Sequence, residues 1–214
     1  MALLTDKFLF LHTPKTGGTY IRKVFDLLFI KGVEKDLHHN CFPELFKHVS
    51  FEDLYNKTII CFIRHPLTWY QSRWACRLSH FNGWKGNSLD LACGSNDFNI
   101  FVNNCIDYSG SGIGWASREM TRFTDNMPSG FKIYIGKQEN LQHDLVSALL
   151  LCGALATKAD LPPLEKSNVS LNDEMPAHAI AKYDTKTYER VLEADGDFIM
   201  KYYGGMAIDH RILF

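Results

Sequence analysis

Two short stretches hold residue types that can do chemistry together: "HTPKTGGTY" at 12–20 and "IRHPLTWYQS" at 63–72. In the first, Gly17 and Gly18 let the backbone take positive φ and approach a ligand closely, and a helix starting there aims its unpaired N–H groups at the same place. Thr16 and Thr19 add hydroxyl donors, and Lys15 adds a positive charge at the mouth of the turn. The set suits a phosphate-like anion, although a bare Gly-Gly also serves as a tight turn. The Walker phosphate loop puts its lysine directly after the second glycine. Here Lys15 precedes both glycines and Thr19 follows them.

In the second stretch Arg64 leaves an apolar run, Pro66 suits the first turn of a helix, and Ser72 comes about two turns into it. An arginine at a strand end and a hydroxyl on the next helix can converge on one phosphate, the arginine as a bidentate fork. Singly, Arg64 suits a surface ion pair and Ser72 an ordinary helix position; together they read as a second anion site.

The elements that must position these residues are legible from periodicity. Three apolar runs read as buried strands: "KFLFLH" at 7–12, "TIICFI" at 58–63 and "FKIYIG" at 131–136. Each is followed by a helical stripe: Ile21, Val24, Phe25, Leu28; then Leu67, Tyr70, Trp74, Leu78; then Leu141, Leu145, Leu149, Cys152. Strands alternating with helices predict an α/β fold, a parallel sheet covered on both faces, with ligands at the carboxyl ends of its strands. Residues 81–130, rich in Asn, Gly and Ser, read as a loop-and-helix insertion over that edge, with 115–123 as its helix. A last helix is expected from Thr185 to Tyr203, with Gly196 inside it.

Together the two stretches resemble the sulfotransferases that use 3′-phosphoadenosine 5′-phosphosulfate, especially their carbohydrate-type and bacterial branches. In that family a P-K-[TS]-G-[GST]-T loop holds the 5′-phosphosulfate and an R-x-P-x(5)-S stretch holds the 3′-phosphate. Pro14 to Thr19 match the first without a gap, and Arg64, Pro66 and Ser72 match the second. "GKQENLQHDL" at 136–145 is similar to a further family segment, "LEKSNVS" at 164–170 to a later N-x-S loop, and 183–203 to the closing tyrosine and acidic helix. Coverage is nearly the whole chain, with the first two stretches the specific ones.

The resemblance implies a single 1–214 sulfotransferase domain, a three-layer sandwich with a central parallel sheet of the P-loop NTPase-like kind. It implies transfer of a sulfuryl group to a hydroxyl or amine of a small-molecule or carbohydrate acceptor, leaving 3′-phosphoadenosine 5′-phosphate, with no metal required. Donor binding then falls to Pro14, Lys15, Thr16, Gly17, Gly18, Thr19, Tyr20, Arg64 and Ser72, with Lys15 also catalytic. The family's general base is a histidine or glutamate, and residues 36–54 offer His38, His39, Glu44, His48 and Glu52. His39 ranks first, His38 second and His48 third, because a histidine pair before Asn40 and Pro43 suits a strand-end loop. A hydrogen-bonded surface role suits each of them singly. Past the second stretch, Trp74, Arg77, His80, Phe81 and Trp84 interleave aromatic and basic groups that suit an acceptor pocket, Trp84 best, although Trp74 also belongs to the core stripe.

The 214 residues carry 23 Lys plus Arg against 24 Asp plus Glu, so the balance supports neither a nucleic-acid nor a membrane-surface partner. Six cysteines show no CxxC pair, which reads as free thiols in a reducing compartment. No histidine of the nine falls in an HxxxH spacing. The first apolar run is too short for a signal segment or a membrane span, so the expected location is cytoplasmic, the alternative being a secretory enzyme lacking its leader. Two rival functions remain. A P-loop small-molecule kinase would need an acidic magnesium ligand at a strand end, where this chain has Arg64-His65. A non-catalytic donor-binding or scaffold protein would keep both loops and lack an acting base.

Overall fold

The computed structural model describes residues 2–35, 47, 49–80, 84–85, 88–110, 112–125, 130–157, 177–204, 208 and 213–214. In chain order its elements are β1 (Ala2–Leu4), β2 (Phe8–Leu11), α1 (Gly18–Leu27), β3 (Val33–Lys35), α2 (Phe51–Leu54), β4 (Thr58–Ile63), α3 (Pro66–His80), α4 (Ser88–Cys93), α5 (Phe98–Ser109), α6 (Trp115–Thr124), β5 (Lys132–Lys137), a 3-10 turn (Gln138–Asn140), α7 (Leu141–Leu151), α8 (Ala177–Ile180), α9 (Thr185–Ala194) and α10 (Gly196–Tyr203). They fall into two units, each made of two separated stretches: Met1–Arg64 with Glu119–Glu165, and His65–Arg118 with Lys166–Phe214.

The first unit is mixed α/β around an open five-stranded sheet of order β3-β1-β2-β4-β5. Side chains alternate across a strand, and each half of the alternation has its own apolar cover. Phe8, Phe10, Ile60 and Phe62 join Ile21, Val24 and Phe25 of α1 and Leu141, Leu145 and Leu149 of α7 on one face. Leu9, Leu11, Ile59 and Cys61 join Val49, Leu54 and Phe123 on the other. This double cover is why both strands read as unbroken apolar runs.

β2, β4 and β5 pair in parallel, as the sequence pattern predicts, with Phe8 opposite Thr58 and Thr58 opposite Lys132. The expected parallel sheet holds for these central strands, while beyond them β1 runs antiparallel to both β2 and β3. β1 is three residues long and has no period to read. What builds it is a side-chain turn: Thr5 Oγ1 accepts from Lys7 N and Phe8 N at 3.1 and 2.9 Å and donates to Phe8 O at 3.0 Å. The turn folds β1 back along β2.

The second unit is helical. Leu67, Tyr70 and Trp74 of α3 are buried, Trp74 edge-on to Phe98 with ring centroids 5.6 Å apart. Gln71 Nε2 and Tyr183 OH donate to Ala181 O and Leu67 O, both at 2.8 Å. The stretch 81–130 holds α4 and α5 as well as the expected α6. α5 is bounded by Asp97, whose carboxylate accepts from Ile100 N, and by Gly110 at φ 65°.

The expected single helix from Thr185 to Tyr203 is two helices, broken at Asp195. That carboxylate has left its own helix to cap another: Oδ1 accepts from Ser117 N at 2.9 Å in the first turn of α6, and Oδ2 from Tyr70 OH at 3.2 Å. Gly114 sits where any Cβ would lie 2.1 Å from Oδ2. Burial raises the Asp195 carboxyl from 3.8 to about 6.

His65 shows the opposite shift in the same unit. It is buried, its Nδ1 accepts from Leu67 N at 3.3 Å, and its ring stands edge-on to Tyr203. Burial lowers it from 6.5 to about 4, so it stays neutral at neutral pH. A pKa unit is worth ~1.4 kcal/mol, so each shift is worth about 3 kcal/mol in the pH dependence of folding. The raised carboxyl gives stability that is fully present below pH 3.8 and lost as pH rises through about 6. The lowered imidazole gives stability present above pH 6.5 and lost as pH falls through about 4. The two slopes oppose each other between pH 4 and 6. Asp195→Asn, which keeps the acceptor for Ser117 N, is expected to unmask the histidine slope. Urea midpoints should show the variant about 3 kcal/mol worse relative to wild type at pH 4 than at pH 7.5. Equal differences at both pH values would mean that the carboxyl titrates as an ordinary one.

Candidate functional site

The 12–20 loop begins where β2 ends. Thr13 N donates to Leu11 O at 3.1 Å and Thr16 Oγ1 to Thr13 O at 2.8 Å, so buried Thr16 closes the loop on itself. Lys15 has φ 65° and Gly17 φ 90°, while Thr16 between them does not have positive φ. Alternating backbone handedness of this kind folds successive N–H groups into an anion-binding concavity. Gly17 is also the residue before α1, where Ile21 N donates to its carbonyl at 3.2 Å. The first-turn amides that helix geometry leaves unpaired therefore sit at the same loop.

Each glycine has a separate reason to be one. At Gly17 a side chain would be strained by the backbone and would place its Cβ 2.5 Å from Leu141 Cδ2. Gly18 has an ordinary φ, but a Cβ there would lie 2.1 Å from His12 Nε2. His12 thus packs across the opening of α1. Nothing in the types or spacing of the loop marks His12, although a second glycine where no special φ is needed does signal a close neighbour.

Arg64 follows β4 directly, and β4 lies beside β2 in the sheet. The parallel register carries the two strand ends to one edge of the sheet, and Arg64 Nη1 donates to Lys15 O at 3.3 Å. The Arg64 N–H donates to Met120 Sδ at 3.2 Å. Met120 is distant in sequence and carries no signal that would mark it. The structure therefore brings Lys15, Gly17, Gly18 and Arg64 together. Pro14 is buried, Lys15 and Arg64 half-buried and Thr19 exposed. Tyr20 packs in the core beside α7, its hydroxyl accepting from Gln142 Nε2 at 3.1 Å. The hydroxyl of Thr13 is buried and finds no hydrogen-bond partner among the described residues.

Ser72 is half-buried on α3, in the second unit. His38, His39, His48 and Glu44 lie outside the described residues, and Glu52 is exposed on α2. Of the residues read as an acceptor pocket, Trp74 is in the core, and Trp84 stacks on Phe101 at 4.9 Å with Gly94 against its indole. Arg77 is committed to the buried carboxylate of Asp90, through Nε at 3.0 Å and Nη2 at 2.5 Å. Phe81 lies outside the described residues, as does the side chain of His80. Among the described residues no three His, Cys, Asp or Glu cluster as a metal site, and no helix is long and apolar enough to cross a membrane. Comparison with protein-family models, with curated proteins and with solved structures gave no match.

Proposed function

We propose that the chain is a sulfotransferase of the P-loop NTPase-like kind that moves the sulfuryl group of 3′-phosphoadenosine 5′-phosphosulfate to a hydroxyl or amine of a small-molecule or carbohydrate acceptor, and that it works in the cytoplasm. The observation that carries this reading is the pairing of a lysine-bearing loop, with positive φ at 15 and 17 at a helix start, with an arginine from the next parallel strand. Two cationic groups at one sheet edge suit a ligand with two separated phosphate-like groups. Lys15 and the amides of Gly17, Gly18 and Thr19 serve the 5′-phosphosulfate, and Arg64 serves the 3′-phosphate.

In the reaction the acceptor oxygen or nitrogen bonds to sulfur while the bond from sulfur to the bridging oxygen breaks. Negative charge collects on the departing 5′-phosphate, where the lysine ammonium and preorganised amides stabilise it. The acceptor gives its proton to a base, for which His39, His38 and His48 are the proposed residues in that order. The discriminating measurement is calorimetric titration with 3′-phosphoadenosine 5′-phosphate in one arm and ATP with magnesium in the other. Binding of the bisphosphate in preference to ATP is expected. Tight binding of ATP without binding of the bisphosphate would move the chain to the kinases.

A further inference from the structure

The geometry points to Arg64 as the residue that positions the phosphosulfate loop, in addition to holding the 3′-phosphate, so that it acts on the 5′ end of the donor through the backbone of Lys15. This rests on the proposed reading of the donor. The carbonyl of Lys15 accepts from Arg64 Nη1 at 3.3 Å, and Lys15 is a non-glycine residue held at φ 65°. For a side chain other than Gly, Asn or Asp that conformation is unfavourable and persists where neighbours over-determine it. Thr16 fixes the loop from one side through its bond to Thr13 O. Arg64 fixes it from the other, and is itself tied at its backbone N–H to Met120 Sδ. The loop is thus clamped on both sides of the peptide between Lys15 and Thr16, and the Lys15 ammonium is carried by that clamped backbone.

A guanidinium has five N–H donors in a rigid fork, so one donor on a carbonyl is compatible with a bidentate hold on a phosphate. The same side chain can therefore link the two phosphate positions: a 3′-phosphate that orients the arginine also steadies the loop that receives the 5′ group.

The test separates the two ends of the ligand. Wild type, Arg64→Ala and Arg64→Lys are titrated with 3′-phosphoadenosine 5′-phosphate and with adenosine 5′-phosphate, which lacks the 3′ group. Amide hydrogen exchange of the 12–20 segment is followed without ligand. Loss of one charge-assisted hydrogen bond predicts about tenfold weaker binding of adenosine 5′-phosphate by Arg64→Ala, and about tenfold faster exchange confined to 12–20. Arg64→Lys keeps the charge but not the fork, and should show the same pattern at smaller size. If adenosine 5′-phosphate binds both variants within twofold of wild type and exchange of 12–20 is unchanged, Arg64 does not position the loop, whatever happens to the bisphosphate. If wild type binds neither nucleotide, the donor reading fails by itself, and the exchange of 12–20 still decides whether the arginine clamps the loop.

Discussion

On the proposed sulfotransferase reading, Lys15→Ala is expected to reduce sulfuryl transfer about a thousandfold while leaving the fold intact, an effect the size of removing a key transition-state donor. The lysine sits in a turn and not in either apolar cluster of the sheet, so truncation opens no core cavity. Its φ of 65° costs an alanine about as much as it costs a lysine, so the backbone gains no new reason to rearrange. The carbonyl that Arg64 holds is also kept, because alanine retains it. What is lost is the ammonium alone. Binding of 3′-phosphoadenosine 5′-phosphate should weaken far less than turnover falls, since charge that develops in the transition state is stabilised more than charge already present. Single-turnover assays with labelled donor and a panel of alcohols and amines, beside calorimetry, measure both quantities. A variant that turns over at the wild-type rate would remove Lys15 from the mechanism.

Asp90→Ala should be a costly truncation for stability in the helical unit, at about 3–5 kcal/mol. The Asp90 side chain is fully buried; its Oδ1 accepts from Arg73 Nη2 and Arg77 Nε, each at 3.0 Å, and its Oδ2 is ion-paired with Arg77 Nη2 at 2.5 Å. Arg73 and Arg77 are a helical turn apart on α3 and are themselves only 16% and 10% exposed at the side chain. Removing the carboxylate leaves two poorly hydrated guanidinium groups against each other. Replacing all three residues by apolar ones of similar size should recover most of the loss, because the charges themselves are expensive to bury. Urea unfolding of the single and triple variants tests both statements. A cost below about 1 kcal/mol for Asp90→Ala would place the cluster with ordinary surface pairs.

The contrast between these sites shows which features a chain displays in its own order of residues. The strand runs at 8–11 and 58–63 and the stripes of α1 and α7 are legible because two-sided burial leaves an unbroken or 3.6-residue apolar record. The loop from Pro14 to Thr19 is legible because its glycines and its lysine are local. β1 and Met120 are not, because one is made by a turn of a few atoms and the other is defined by a partner far along the chain. The break in the closing helix is hidden for a different reason: Asp195 looks like one more polar residue of an amphipathic pattern until the amide it caps, that of Ser117, is known. Trp84 misleads in the opposite sense, since an aromatic beside glycines suits a sugar-binding wall and a core stack equally, and here it stacks on Phe101.

The interleaving of the chain between its two units bears on how the protein is made. β4 meets β5 through pairs such as Thr58 with Lys132, and the residues between them include the whole first stretch of the helical unit, His65–Arg118. A ribosome delivers β2 and β4 long before the strand that covers the open side of β4. During that interval the nascent chain carries an apolar strand with an unpaired edge, and the slow non-local closure must wait until β5 has been synthesised. Stalled or truncated chains that end before residue 132 should therefore be the species that recruit chaperones and aggregate, while a chain extended through α7 can pair β4 with β5.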